Sequence, residues 1–141
     1  MTYPVAAAAA EVAAAAGVIA LGAPVRIDEP MGKTATYAGD ARGPGAYIPF
    51  VVVALYHGTA LPATAIRETA LIVRCYGTTR GQAWALWLAV EPVFRNRRAR
   101  MSGTLGVWNS SIVPGSVLPD LDPSTSQPLV YAIVNYPSAL T

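Results

Sequence analysis

Charge is what this sequence has least of. Asp, Glu, Lys and Arg make up 13% of its 141 residues, whereas a small soluble domain is well served by roughly 25–35% charged residues on its surface. The shortage points to a chain that buries surface against copies of itself or a partner. Cysteine occurs once, as Cys75, which excludes an internal disulfide framework. Histidine also occurs once, as His57, so paired Cys/His spacings of the zinc-binding kind are missing. The glycine patterns of P-loops and dinucleotide-binding turns are absent, and the glycine-rich stretch at 39–45 (GDARGPG) lacks the P-loop lysine. No Lys or Arg precedes Arg26, so the positive flank of a secretory signal is missing. A membrane span needs about 20 apolar residues. The run at 5–16 (VAAAAAEVAAAA) is interrupted by Glu11 and followed by Gly17, Gly22 and Pro24. No membrane partner is expected, and a net charge of +2 does not by itself demand nucleic acid.

What is abundant is alanine. The chain is 53% hydrophobic, but 26 of those residues are alanine, and without them about 35% remains, which suits one domain with an ordinary core. Residues 1–24 read as an alanine-rich helical segment, with the helix itself over 6–16 and Gly17 as its stop. So thin an apolar face must pack closely, or against another chain. Val25 to Asp28 reads as a short strand. Residues 29–45 read as an exposed loop that includes a short strand at 34–38, and a loop this long is often functional.

Tyr47 to His57 (YIPFVVVALYH) and Ala65 to Tyr76 (AIRETALIVRCY) are the strong strand signals, and most simply form an antiparallel hairpin. In the second, Arg67, Thr69, Leu71, Val73 and Cys75 share one face. Thr78 or Thr79 can cap a following helix over 80–94, where Ala83, Trp87, Val90 and Phe94 fall on one side and face the sheet. Trp84 and Leu88 lie on another flank, so the helix reads as covered on more than one side. Pro92 should end or kink it. Short strands are expected at 102–108 and 110–117. A polar exposed loop should occupy 118–128, and a last strand 129–136. The whole is one α+β domain: an antiparallel β-sheet with an N-terminal helix and a central helix packed on one face.

The chemistry-bearing residues are few. His57 reads as a surface residue at a strand end, and Cys75 as a small buried hydrophobe with no nearby histidine. Asp120 and Asp122 have too few oxygen neighbours for a calcium loop and read as a solvated turn. Arg95, Arg97, Arg98 and Arg100 form the single charge run. They read either as a solvated helix end that complements the helix dipole or as a contact with phosphate or protein. No catalytic, metal or cofactor site is expected, and no enzyme.

The order of these segments resembles the tail terminator, or tail completion, proteins of long-tailed bacteriophages and phage-like particles. The resemblance rests on the strand YIPFVVVALYH (47–57) and on RETALIVRCYG (67–77), which runs into TTRGQAWALWLAVEPVF (78–94). It rests also on LPDLDPSTSQPLVYAIVNY (118–136), and so covers most of the chain from about residue 46. The alanine-rich first helix and Pro92 depart from the pattern. The resemblance implies a structural virion protein at the tail–neck region, assembled in the host cytoplasm. It implies a homo-oligomeric ring, usually a hexamer, that caps the tail tube protein and ends its polymerisation. The other face would meet the head-side connector or stopper protein, and DNA would pass through the lumen without sequence-specific binding. On this reading Arg95, Arg97, Arg98 and Arg100 are ring, partner or channel contacts, and Lys33, Asp40, Arg42, Asp120 and Asp122 belong to partner loops. The alternatives are a head-completion or stopper protein of the neck, a nucleic-acid-binding module using residues 95–100, and a small enzyme with a cleft around His57.

Overall fold

Alanine dictates the first element and limits it. In the computed structural model, which describes residues 4–27, 47–60, 66–95, 98–102, 105–123 and 125–140, helix α1 spans Pro4–Ala13. Pro4 takes the first helical position, where its missing N–H costs nothing. The helix then breaks where Ala15 turns extended (φ −68°, ψ 126°), and a second short helix, α2, spans Ala16–Ala20. The expected single helix over 6–16 is therefore two. Gly17 is not the stop. It lies inside α2, where a Cβ would come 2.9 Å from that of Ala89. The stop is Gly22, in the left-handed region (φ +65°). There the Gly22 and Ala23 N–H groups donate to the carbonyls of Ile19 and Val18 at 3.0 and 3.4 Å, the paired bonds of a glycine-terminated helix.

Strand β1 (Val25–Ile27) lies parallel to β2 (Phe50–Ala60), which pairs antiparallel with β3 (Ile66–Tyr76). The expected hairpin is present, registered from Phe50↔Tyr76 to Ala60↔Arg67, with a bulge between Leu55 and His57. Helix α3 spans Arg80–Phe94. Its start is fixed by reciprocal caps: Thr79 Oγ1 accepts the Gln82 N–H at 3.1 Å, and Gln82 Oε1 accepts the Thr78 N–H at 2.6 Å. Thr79→Ala should lower stability by about 1 kcal/mol in urea unfolding. A loss near zero would mean that the cap is not what holds this turn.

Pro92 does not end α3, which continues to Phe94 with the Arg95 N–H on the Glu91 carbonyl at 3.0 Å. So near the helix end the proline removes one bond, that to the Leu88 carbonyl, and the exposed position tolerates it.

The chain then forms the hairpin β4 (Arg100–Ser102) and β5 (Leu105–Val107), followed by β6 (Ser111–Ile112) and β7 (Leu118–Leu121). The last strands are β8 (Pro128–Asn135) and β9 (Ser138–Leu140). Residues 118–128 are not wholly loop, because β7 pairs with β8 from Leu118↔Tyr131 to Leu121↔Pro128. Strands β8 and β9 hold one unbroken register against β3, with Ala70↔Asn135 and Arg67↔Ser138. The Tyr136 N–H donates to the Thr69 carbonyl between them at 2.7 Å. Their outer neighbours change at Pro137: β6 and β7 lie beside β8, and β5 beside β9.

The mainly antiparallel sheet carries its helices on one face. Val51, Val53, Leu71, Val73, Cys75, Val130, Ala132 and Val134 form the sheet side of the main core. Ala7, Ala8 and Val12 of α1, and Ala83, Leu86, Trp87, Val90 and Phe94 of α3, close it from above. All four residues expected to aim α3 at the sheet are buried. The other face carries a smaller cluster at one end only, formed by Tyr47, Phe50, Val52, Tyr76 and Leu129, with Phe50 and Tyr76 stacked at 4.3 Å.

Candidate functional site

The four arginines read as one run have different fates. Arg95 forms an ion pair with Glu91 one turn back while its side chain stays largely in solvent. A pair with its arginine in solvent contributes little. Arg98 is exposed, and its carbonyl accepts an N–H of Arg100 at 3.3 Å. Arg100 itself points inward. Its Nε meets Glu11 Oε2 at 2.5 Å, and its Nη2 meets Glu11 Oε1 at 3.0 Å and Ser110 Oγ at 3.2 Å. The guanidinium also sits 5.7 Å from the Tyr136 ring centroid. Only about a tenth of either charged side chain is exposed (12% and 11%). Tyr136 donates its hydroxyl proton to Glu11. Burial, then that hydrogen bond and the Glu11 charge, push the phenol well above its ordinary range. Arg100 therefore ties α1 to the far end of the sheet, and its side chain is not an outward contact. Arg97 lies outside the described residues. The sequence signal for this network was the single carboxylate, Glu11, inside an alanine run.

The two aspartates also part. Asp120 is exposed and accepts the N–H of Leu121 at 2.8 Å. Asp122 is buried, and accepts the Tyr76 hydroxyl at 3.2 Å and the Thr125 N–H at 3.2 Å. Beside it, Gln127 Nε2 donates to the carbonyls of Ile48 and Gly77 at 2.7 and 3.2 Å, and the Tyr47 hydroxyl donates to the Thr125 carbonyl at 2.5 Å. This network staples the 122–127 turn onto the ends of β2 and β3, so Asp122 is a structural residue rather than an offered contact. Lys33, Asp40 and Arg42, with the whole 29–45 loop, lie outside the described residues.

What the described surface does offer is apolar. Trp84 and Leu88, one turn apart on α3, are 36% and 62% exposed, and Ile19 on α2 is 64% exposed. Helix α2 packs beside α3 through Gly17 and Ala89. Helix α3 is thus covered on two sides, by the sheet and by α2, as expected, while the flank that carries Trp84 and Leu88 stays exposed. Met101, Trp108, Leu118 and Leu121 are also exposed, each on a short strand or immediately beside one. Among the described residues no helix is long and apolar enough to cross a membrane.

His57 lines a cavity of about 330 Å³ with Glu68, Thr69, Ala70, Asn109, Ser111, Asn135 and Pro137. No side-chain hydrogen bond joins His57 to Glu68 or Ser111 among the described residues, and the His57 ring lies 6.5 Å from that of Tyr56. Cys75 is fully buried, and desolvation raises its thiol far above the range where a reactive thiolate forms. No family model matches the chain, and no curated protein matches it.

Proposed function

We propose that this chain is a structural virion protein whose copies form a ring, a hexamer on the pattern of the family it resembles. The ring caps a phage tail tube, ends tube polymerisation and joins the tail to the head-side connector or stopper, with DNA passing through the lumen. The observation that carries this reading is the uncovered apolar flank of α3, Trp84 and Leu88, on a chain with so few charges. Large apolar groups in contiguous exposed patches mark interaction surfaces, and neighbours in a closed ring would cover them.

The nucleic-acid reading draws less support, because Arg95 and Arg100 each meet a carboxylate of their own chain. The neck-stopper reading shares the ring and differs only in the surface capped.

Native mass measurement of the purified protein should show a closed oligomer, and Leu88→Glu should shift it to monomer while the circular dichroism stays unchanged. Added to polymerising tail tube protein, the ring should cap tube ends and shorten the tubes. A protein that stays monomeric at high concentration and leaves tube length unchanged would overturn the proposal. Binding to the connector alone would assign it to the stopper instead.

A further inference from the structure

The cavity at His57 is assembled by two irregularities of the sheet that fall on the same level. Strand β2 carries one extra residue between Leu55 and His57 against β3. On the far side, the partner strand of 128–140 slips by one residue between Val107 and Ser111, since Val107 pairs with Ser138 and Ser111 with Asn135. Bulges of this kind re-aim side chains and are enriched beside functional sites. Between them, His57, Ala70, Asn135 and Ser111 form one cross-strand row over four strands. Residues paired across a sheet share a face, and here it is the face away from the helices, because Leu71 and Val134 next to the row belong to the main core. Ala70 makes a small floor. Glu68, Asn109, Asn135 and His57 surround it with a carboxylate, two amides and an imidazole, and Ser111 adds a hydroxyl. By the register of β3, β8 and β9, Glu68 lies opposite Pro137. The N–H of Trp108 donates to the Pro137 carbonyl at 2.8 Å, which puts the exposed Trp108 on the next row of the same face. Tyr56, also exposed, neighbours His57 on the bulge.

This is a polar hollow, with the Tyr56 ring 6.5 Å from the His57 ring and Trp108 on the neighbouring row beside Pro137, and its chemistry selects a ligand class. Amide and carboxylate side chains offer paired donors and acceptors in fixed planes, which fit adjacent hydroxyls. Aromatic faces cover the C–H side of a sugar ring. The Glu68 carboxylate disfavours phosphate or any other anion, and a lining this polar does not suit an aliphatic chain. We propose that the cavity between His57, Glu68, Asn109, Ser111 and Asn135 binds a neutral saccharide unit, with Trp108 and Tyr56 at its rim. The proposal does not depend on the ring reading, because every residue named in it belongs to one chain.

The test uses the full chain and four probes: glucose, galactose, N-acetylglucosamine and maltose, each titrated by calorimetry and by saturation-transfer NMR. At least one should bind saturably, with saturation transferred to its ring protons. Asn135→Leu and Trp108→Ala change exposed side chains, and each should weaken that binding at least about tenfold while thermal unfolding stays unchanged. Absence of saturable binding for all four probes would overturn the proposal. So would binding that survives both substitutions, or heat uptake from inorganic phosphate or zinc that these substitutions abolish while the sugars give none.

Discussion

Gly77→Ala should cost about 3 kcal/mol or more of folding stability, or prevent folding, although it adds a single methyl group. Gly77 is the joint between β3 and α3 and is buried. Its N–H donates to the Pro128 carbonyl at 3.0 Å and its carbonyl accepts from Gln127 Nε2 at 3.2 Å, so its backbone is held from both sides. A Cβ there would lie 2.3 Å from the Ala83 nitrogen and 2.6 Å from the Thr79 carbonyl oxygen. Both are backbone atoms of the first turn of α3, and no rotamer change relieves the clash. Only withdrawal of the helix can, and that lifts Ala83, Leu86 and Trp87 out of the core. Gly115→Ala is the control. Gly115 also resists substitution, but through its positive φ of 77° with nothing near the new methyl, so only the left-handed penalty of about 1–2 kcal/mol applies. Urea unfolding of the two variants separates the cases. Equal losses would mean that strand and helix do not meet as closely as the structure has them.

The sequence made this joint partly legible. The polar turn Gly77-Thr78-Thr79, the helix over 80–94 and the aim of Ala83, Trp87, Val90 and Phe94 all follow from local rules of capping and periodicity. So do the β2–β3 hairpin and the α+β class, because runs such as Val51–Val53 belong in a covered strand. Long-range events were harder to read. Nothing local in VAAAAAEVAAAA says that the helix breaks at Ala15, since alanine suits either side of the break. The signal there is tertiary, the close seat of Gly17 on Ala89. The strand at 118–121 was hidden by its proline and its aspartate. It exists because β8 offers an edge, and all four of its residues are exposed. Asp122 looked like its neighbour Asp120, but only a contact 46 residues away, with Tyr76, makes it structural. The cavity at His57 had no sequence signature, because its members come from four segments and meet only through register.

Arg100→Ala should destabilise the fold by about 3 kcal/mol, the low end of the cost of stranding one member of a buried ion pair, because about a tenth of each side chain stays exposed. The reasoning starts from Glu11. A carboxylate in an alanine helix packed on a sheet must be solvated by something, and here Arg100 and the Tyr136 hydroxyl do it, while Ser110 takes another N–H of the guanidinium. Glu11→Ala should lose a similar amount, because it leaves a guanidinium with too few acceptors. The paired change Glu11→Met with Arg100→Met should fall close to the native stability, since apolar groups of similar volume often replace a buried pair at no net cost. Arg100→Lys should not rescue, because an ammonium cannot span both carboxylate oxygens and Ser110 as the fork does. Thermal and urea unfolding of the double methionine variant and of its two single components, Glu11→Met and Arg100→Met, form a double-mutant cycle whose coupling energy reports the pair. The same data decide between two roles for the basic run. Were Arg100 a channel or partner residue, Arg100→Ala would leave stability untouched and change only assembly or DNA passage. A large loss of stability, recovered in the double methionine variant, fixes it as the anchor of the N-terminal helix. Among the described residues Arg98 then meets no carboxylate and Arg95 meets Glu91 with its own side chain largely in solvent, so of the described arginines in the run these two are the ones an outward contact would use.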